Sequence, residues 1–285
     1  MIQRLTDAEV AIIGLGVIGG SAALRVRERG TPLRTFSTSA QDCALAREAG
    51  LVVSQTVDAA VRDVGLVLIA VPLNRIASVA SEVIGAAPDT ATILHAGSLQ
   101  RLEALDAIPE VATRLIGTHP IAGSHRSGFG AARADLFRDA VVYVERRASA
   151  RQREDAELFW SLAGARRIAY ADAPEHDNAM AWISHLPQLA SKALADTITV
   201  AGPRDIGVSP GPGARDTTRL AMSPFEMWHP ILERAPSETV AALRAFELSV
   251  ERLRIALENR DWETMQAIWE RGSTWRVGIE PLADG

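Results

Sequence analysis

The sequence predicts a doubly wound α/β domain followed by an all-helical one. Three observations carry this. A short apolar segment runs through Gly14-Leu15-Gly16-Val17-Ile18-Gly19 into a helix-compatible stretch; strand-like and helix-like segments then alternate; and beyond about residue 171 long helix-compatible segments replace the strand-like runs.

Residues 9–14 (Glu-Val-Ala-Ile-Ile-Gly) read as a short buried strand, and 21–29 as the helix after the glycine turn. A second strand is expected at 33–36 and the next helix at 42–48. The run Leu-Val-Leu-Ile-Ala-Val at 66–71 is apolar throughout, which suits a strand covered on both faces by crossover helices. A helix over 76–84, strands at 92–94, 114–117 and 141–144, a helix over 152–162 and a strand at 167–170 complete the sheet. Helices over 177–199, 224–234, 237–259 and 262–276 follow, the first two joined by a loop rich in glycine and proline. The division at 171 gives units of 1–171 and 172–285, with no internal repeat, and no further domain is expected before 9 or after 276.

Composition narrows the function classes. The 285 residues are 47% hydrophobic and 23% charged, as in an ordinary globular protein. A formal net charge of −5 offers no basic excess for phosphate neutralisation, so no nucleic-acid partner is expected. Lys192 is the only lysine, and an arginine bias of this kind reads as a property of the genome. Cys43 stands alone, so neither a disulfide framework nor a cysteine zinc site is available, and no His, Asp and Glu grouping has metal-ligand spacing. No apolar run reaches membrane-spanning length and no secretory signal is read, which leaves a cytoplasmic enzyme as the expectation.

The order strand, Gly-x-Gly-x-x-Gly, helix is what gives the glycine motif its meaning. Gly14 permits the tight turn, Gly16 lets the backbone approach a pyrophosphate, and Gly19 allows close helix–strand packing. The helix-start amides, with Val17 and Ile18 inside the motif, would face the phosphates. This makes the first unit a Rossmann-like dinucleotide-binding domain. The second strand ends in Ser37, Thr38 and Ser39, with no acid before Asp42 to hold the ribose 2′-hydroxyl of NAD. These hydroxyls, with nearby Arg34, would accept a 2′-phosphate, so NADP is preferred over NAD.

Three later segments fall in a consistent order: Gly117-Thr118-His119-Pro120-Ile121-Ala122-Gly123-Ser124, then Ser184-His185-Leu186-Pro187, then Gly213-Ala214-Arg215-Asp216-Thr217-Thr218-Arg219-Leu220-Ala221 with Met227-Trp228. Together with the glycine motif they resemble the prephenate/arogenate dehydrogenases, over residues 9 to 276 or so. The resemblance implies oxidative decarboxylation of prephenate to 4-hydroxyphenylpyruvate, in tyrosine-type aromatic biosynthesis. It identifies His119 as the base that takes the ring hydroxyl proton and Ser98 as a hydrogen-bond partner of that hydroxyl. A neutral imidazole suits the first task. His185, Arg215 and Arg219 would hold a dianionic substrate, Arg219 by a bidentate pair with a carboxylate. A homodimer through the C-terminal helices follows by analogy. Trp228 reads as packing, and His176, His229 and Cys43 receive no role.

The chain departs from the family pattern in two places. Where Asp-x-Gly-Ser-x-Lys is common, it has His95-Ala96-Gly97-Ser98-Leu99-Gln100; where an acid commonly follows Ala-Gly-Ser, it has His125-Arg126. Losing an acid and a lysine from one stretch, and gaining a positive or neutral group in the other, is expected to change the charge around the site. The segments 94–101 and 118–130 contain no acid, which favours prephenate over the ammonium of arogenate. The 4-amino-4-deoxy analogue of prephenate stays open, since its amine would face His119 and Ser98. Two further readings compete: a 3-hydroxy acid dehydrogenase, whose catalytic lysine Lys192 does not match, and a dinucleotide-binding regulator without turnover.

Overall fold

A computed structural model describes residues 9–102, 113–124, 126–202 and 210–279. One seven-stranded sheet holds, in spatial order, β2 (Leu33–Phe36), β1 (Val10–Ile13), β3 (Leu66–Ile69), β4 (Thr92–His95), β5 (Leu115–Pro120), β6 (Val141–Glu145) and β7 (Arg167–Ala171). All seven strands expected from the sequence are present.

The apolar runs at β1 and β3 alternate their side chains between two cores. Val10, Ile12, Leu66 and Leu68 face one, where α1 (Val17–Glu28) and α5 (Ala150–Leu162) contribute Ala22, Val26, Phe159 and Trp160. Ala11, Ile13, Val67 and Ile69 face the other, against Val57 and Val61 of α3 (Val57–Val61) and Ile76, Ala80 and Val83 of α4 (Ile76–Ala86). Period-two alternation with both faces covered is the physical reason these strands carry no polar side. α2 (Ala40–Glu48) is capped by the Ser39 side chain and α5 by a reciprocal Ser149/Gln152 box. The five-residue α3 is too short for sequence periodicity to reveal.

β5 is the strand that places the site. Its first half pairs parallel with β4, from Ile93↔Leu115 to His95↔Gly117, and its second half pairs antiparallel with β6, from Thr118↔Val144 to Pro120↔Val142. The reversal arises because residues 121–140 return without a crossover helix among the described residues. His119 is thereby carried past the carboxyl end of β4, on the same edge where β1 delivers the glycine turn.

Beyond Ala171 no strand occurs among the described residues. α6 (Ala173–Met180) runs through a π-helical turn (Ala181–His185) into α7 (Leu186–Ala201). The single helix expected over 177–199 is therefore interrupted, because Pro187 has no N–H to continue the ladder. α8 (Pro212–Thr218), a 3₁₀ turn (Arg219–Met222), α9 (Phe225–Leu232), α10 (Ser237–Asn259) and α11 (Trp262–Gly278) complete the chain. No helix among the described residues is long and apolar enough to cross a membrane.

Candidate active site

The glycine turn is built as its spacing requires. Gly14 has φ +101°, and a Cβ there would lie 2.5 Å from the Ala70 carbonyl oxygen. A Cβ on Gly19 would sit 1.9 Å from the Gly14 carbonyl oxygen, so the start of α1 is pressed onto the turn. A Cβ on Gly16 would meet nothing within 4 Å, which leaves this stretch of backbone open to a ligand. No side chain caps α1 and no acid stands in its first turn, so the amides of Val17 and Ile18 remain available to an anion. A dinucleotide pyrophosphate fits this cradle.

Along the same edge lie four of the chain's six histidines. His119 Nδ1 is 3.0 Å from His176 Nε2, and His176 Nδ1 is 2.8 Å from Asp177 Oδ1. The Asp177 carboxylate also accepts the backbone N–H of Gln100 at 2.8 Å and of Arg101 at 2.9 Å. Tyr143, the cross-strand neighbour of His119, stacks edge-on against His176 with ring centroids 5.0 Å apart. His185 is buried and 2.9 Å from Thr239 Oγ1 at the start of α10, with the Trp228 ring edge-on at 6.1 Å. Burial, then the neighbouring imidazoles of His176, His95 and His185, pushes His119 down to about 3. The ring is therefore neutral at physiological pH, in the form a base requires. Burial likewise lowers His185 and holds His95 at about 4.

The π turn has a geometric consequence for this cluster. Nine residues separate His176 from His185, which in an unbroken α-helix places them about 180° apart around the axis. A π turn absorbs one residue and reduces that offset to about 80°. Both side chains can then point into one site.

His95 and Gln100, where the sequence departs from the family pattern, are packed together around Gly97. The Gly97 N–H donates to His95 Nδ1 at 3.1 Å, and Gln100 Nε2 donates to the Gly97 carbonyl at 2.9 Å. A Cβ on Gly117 would lie 1.9 Å from Gln100 Oε1 and 3.2 Å from His95 Nε2. A neutral imidazole and a neutral carboxamide thus occupy positions where the family pattern has an acid and a lysine. Ser98 follows in the same loop, half-buried, with no hydrogen-bond partner for its hydroxyl among the described residues. His125 lies outside the described residues.

Other expected residues are placed less closely. Arg215, on α8, and Arg219, opening the 3₁₀ turn, are both exposed. Their segment is strapped to α7 by Ser191 Oγ to the Thr217 carbonyl, Gln188 Nε2 to the Leu220 carbonyl and Lys192 Nζ to the Ala221 carbonyl. No described contact joins Arg219 to the histidines. Arg34 is a correction: its guanidinium is ion-paired with Glu9 and donates to the Arg62 carbonyl at 2.8 Å, so it is not available to a 2′-phosphate. Ser37 accepts the Ser39 N–H, and Ser39 accepts the Asp42 N–H as the cap of α2. Thr38 is exposed.

Two participants are not evident in the sequence. His176 carries no motif of its own, yet it is the residue that touches His119. Asp177 brings a buried acid into a site whose flanking segments contain none, with both oxygens engaged by amides and imidazole. The one sequence signal for them is an adjacent His-Asp pair, nine residues before His185 on a helix-compatible stretch. A cavity of about 440 Å³ opens on the Asp177 side, between Leu73, Arg101 and Pro236. Among the described residues no three or more His, Cys, Asp or Glu side chains are arranged so that they could hold a metal ion.

Comparison with known proteins is consistent along the chain. Residues 22–169 match the prephenate dehydrogenase nucleotide-binding domain, and residues 172–271 match the prephenate dehydrogenase dimerization domain. A prephenate dehydrogenase of Lactococcus lactis is 27% identical, covering 95% of this chain and 77% of its own length. A cyclohexadienyl dehydrogenase of Zymomonas mobilis is 28% identical, covering 95% and 96%. The fold is that of the A. aeolicus prephenate dehydrogenase crystallised with hydroxyphenyl propionate and NAD+, with a TM-score of 0.86 at 22% identity over 97% of this chain and 100% of that one.

Proposed function

This chain belongs to the prephenate dehydrogenase family, and from that membership we infer that it oxidatively decarboxylates prephenate to 4-hydroxyphenylpyruvate. The observation that carries the reading is the ordered match of both domains, with a neutral His119 on the sheet edge that also bears the glycine cradle. We take the boundary to lie at 171/172, where β7 ends, giving a dinucleotide domain and a helical substrate and dimerisation domain.

In this reading Gly14, Gly16, Val17, Ile18 and Gly19 hold the pyrophosphate, and the bound nicotinamide supplies the hydride acceptor. His119 takes the proton of the ring hydroxyl as the carbon bearing it becomes a carbonyl. The Ser98 hydroxyl hydrogen-bonds the same oxygen. Breaking the bond to the ring carboxylate sends its electron pair through the ring to that oxygen, leaving a phenolate and carbon dioxide. His119 then returns its proton to the phenolate, so no net proton is released. Arg219 and Arg215 pair with the carboxylates, and His185 orients the ring.

The finer choices belong to the same proposal. NADP is preferred, on the hydroxyls of Ser37, Thr38 and Ser39 and the absence of an acid there. With Arg34 held by Glu9 the preference rests on hydroxyls alone and is expected to be small. Prephenate is preferred over arogenate because Asp177, the acid brought to the site, is fully engaged and offers nothing to an ammonium. The enzyme is taken to be a cytoplasmic homodimer. One steady-state screen tests substrate and cofactor together: prephenate, arogenate and 4-amino-4-deoxyprephenate, each with NAD and with NADP, followed by nicotinamide absorbance. Prephenate should give the highest kcat/KM. A tenfold advantage for another substrate overturns the substrate choice, and a tenfold advantage for NAD overturns the cofactor choice.

A further inference from the structure

Building on the reading of His119 as the base, we propose that His176, held by Asp177, is a positioning residue that sets the tautomer of His119 and leaves Nε2 as its proton-accepting atom. The chain of hydrogen bonds starts at the carboxylate. Asp177 is 3% exposed, and its two oxygens receive the N–H groups of Gln100 and Arg101. An oxygen that receives an amide N–H is acting as an acceptor, so at 2.8 Å the Nδ1 of His176 donates to it. A neutral imidazole carries one proton. With that proton on Nδ1, the Nε2 of His176 presents a lone pair, 3.0 Å from His119 Nδ1. His119 must then donate through Nδ1, and its Nε2 is left unprotonated toward the substrate.

The arrangement suits a base that has to give its proton back. When Nε2 takes the hydroxyl proton, an O–H bond breaks and an N–H bond forms, and His119 becomes an imidazolium. Its Nδ1–H already points at the His176 acceptor, so the ring keeps its orientation until the N–H bond breaks again and the phenol O–H forms. The titratable groups acting on His119 are His176 on α6, His95 on β4 and His185 in the π turn, with Tyr143 its cross-strand neighbour on β6; the Asp177 carboxylate reaches it only through His176. The same carboxylate holds the backbone just after Ser98. One acid therefore fixes both the orientation of the base and the loop of its hydroxyl partner.

Nitrogen-15 NMR of the histidine-labelled wild-type enzyme tests the tautomer directly, with the His119 resonances assigned by their loss in His119→Asn. The expected spectrum has Nδ1 protonated and Nε2 bare. His176→Phe keeps a ring against Tyr143 but removes the acceptor; kcat should fall by about 10- to 100-fold with KM within about twofold. His176→Gln restores a side-chain acceptor and should recover most of that loss. An Nε2–H tautomer in the wild type overturns the proposal, whether or not the Phe variant folds. So does a Phe variant within twofold of wild-type kcat, or a Gln variant no better than Phe. These results leave the role of His119 standing, since only a His119→Asn variant that keeps its kcat removes the base itself.

Discussion

A neutral, desolvated His119 has a measurable signature in the pH dependence of the free enzyme. Its pKa is lowered, and the neutral ring is the active form, so activity persists as pH falls and is lost only on passing through the folded value of about 3. The acid limb of kcat/KM should therefore lie well below the ordinary histidine range of about 6.5. The limb of kcat should lie higher, because a bound dianion favours the imidazolium. A kcat/KM limb at the ordinary histidine value contradicts the burial argument. His119→Asn should lower kcat by about 10²–10⁴-fold while leaving dinucleotide affinity intact. Arg219 is exposed on the 3₁₀ turn strapped to α7. Arg219→Ala should raise KM by about tenfold or more and change kcat less. An unchanged KM in a folded variant removes Arg219 from the substrate site.

The first element of the fold makes an equally sharp demand. α1 can begin at Val17 only because the position two residues on, Gly19, has no side chain to meet the Gly14 carbonyl. Gly19→Ala must push α1 away from β1 or distort the turn, which moves the amides of Val17 and Ile18 off the phosphate position. Dinucleotide Kd, read by fluorescence titration, should rise by about tenfold or more, the cost of about 1.4 kcal/mol. Gly16→Ala has open space instead, so its effect should appear only on binding. Loss of thermal stability should accordingly be larger for Gly19→Ala than for Gly16→Ala, and the reverse order would contradict the packing. α5 illustrates an element whose worth is burial: Phe159 and Trp160 are fully buried and meet edge-on at 5.2 Å.

At the scale of the whole molecule, the two units differ in how completely one chain can bury them. The sheet has two closed cores, whereas α11 buries no residue and α10 buries only Thr239, Ala242 and Ala256. Leu248, Leu257, Trp262, Trp269 and Trp275 stand exposed on these helices, the last two at 70% and 62%. Exposed apolar surface of that kind marks an association face, and the segment matches a dimerization domain. The chain should elute with the mass of two copies in light-scattering chromatography. Trp269→Glu combined with Trp275→Glu should yield a monomer, and a dimer that survives both changes places the interface elsewhere.

Much of this is legible in the order of residues. Strands covered on both faces announce themselves as unbroken apolar runs, helices by their length and caps, and a dinucleotide turn by the spacing of its glycines, Gly14 at positive φ and Gly19 with no room for a Cβ. These are local properties, decided within a few residues by sterics and solvation. His119 and Ser98 can be named because they sit in short contiguous motifs. The partnership of His119 with His176 and Asp177 cannot, because 57 residues separate the two imidazoles and nothing in either segment specifies the other. It depends on β5 overrunning β4, on the reversal of β6 and on how α6 seats against that edge. The engagement of Arg34 by Glu9 and the pairing of His95 with Gln100 around Gly97 are of the same kind. Which polar groups meet is settled by long-range packing, and that packing is the part of the protein that only the tertiary structure decided.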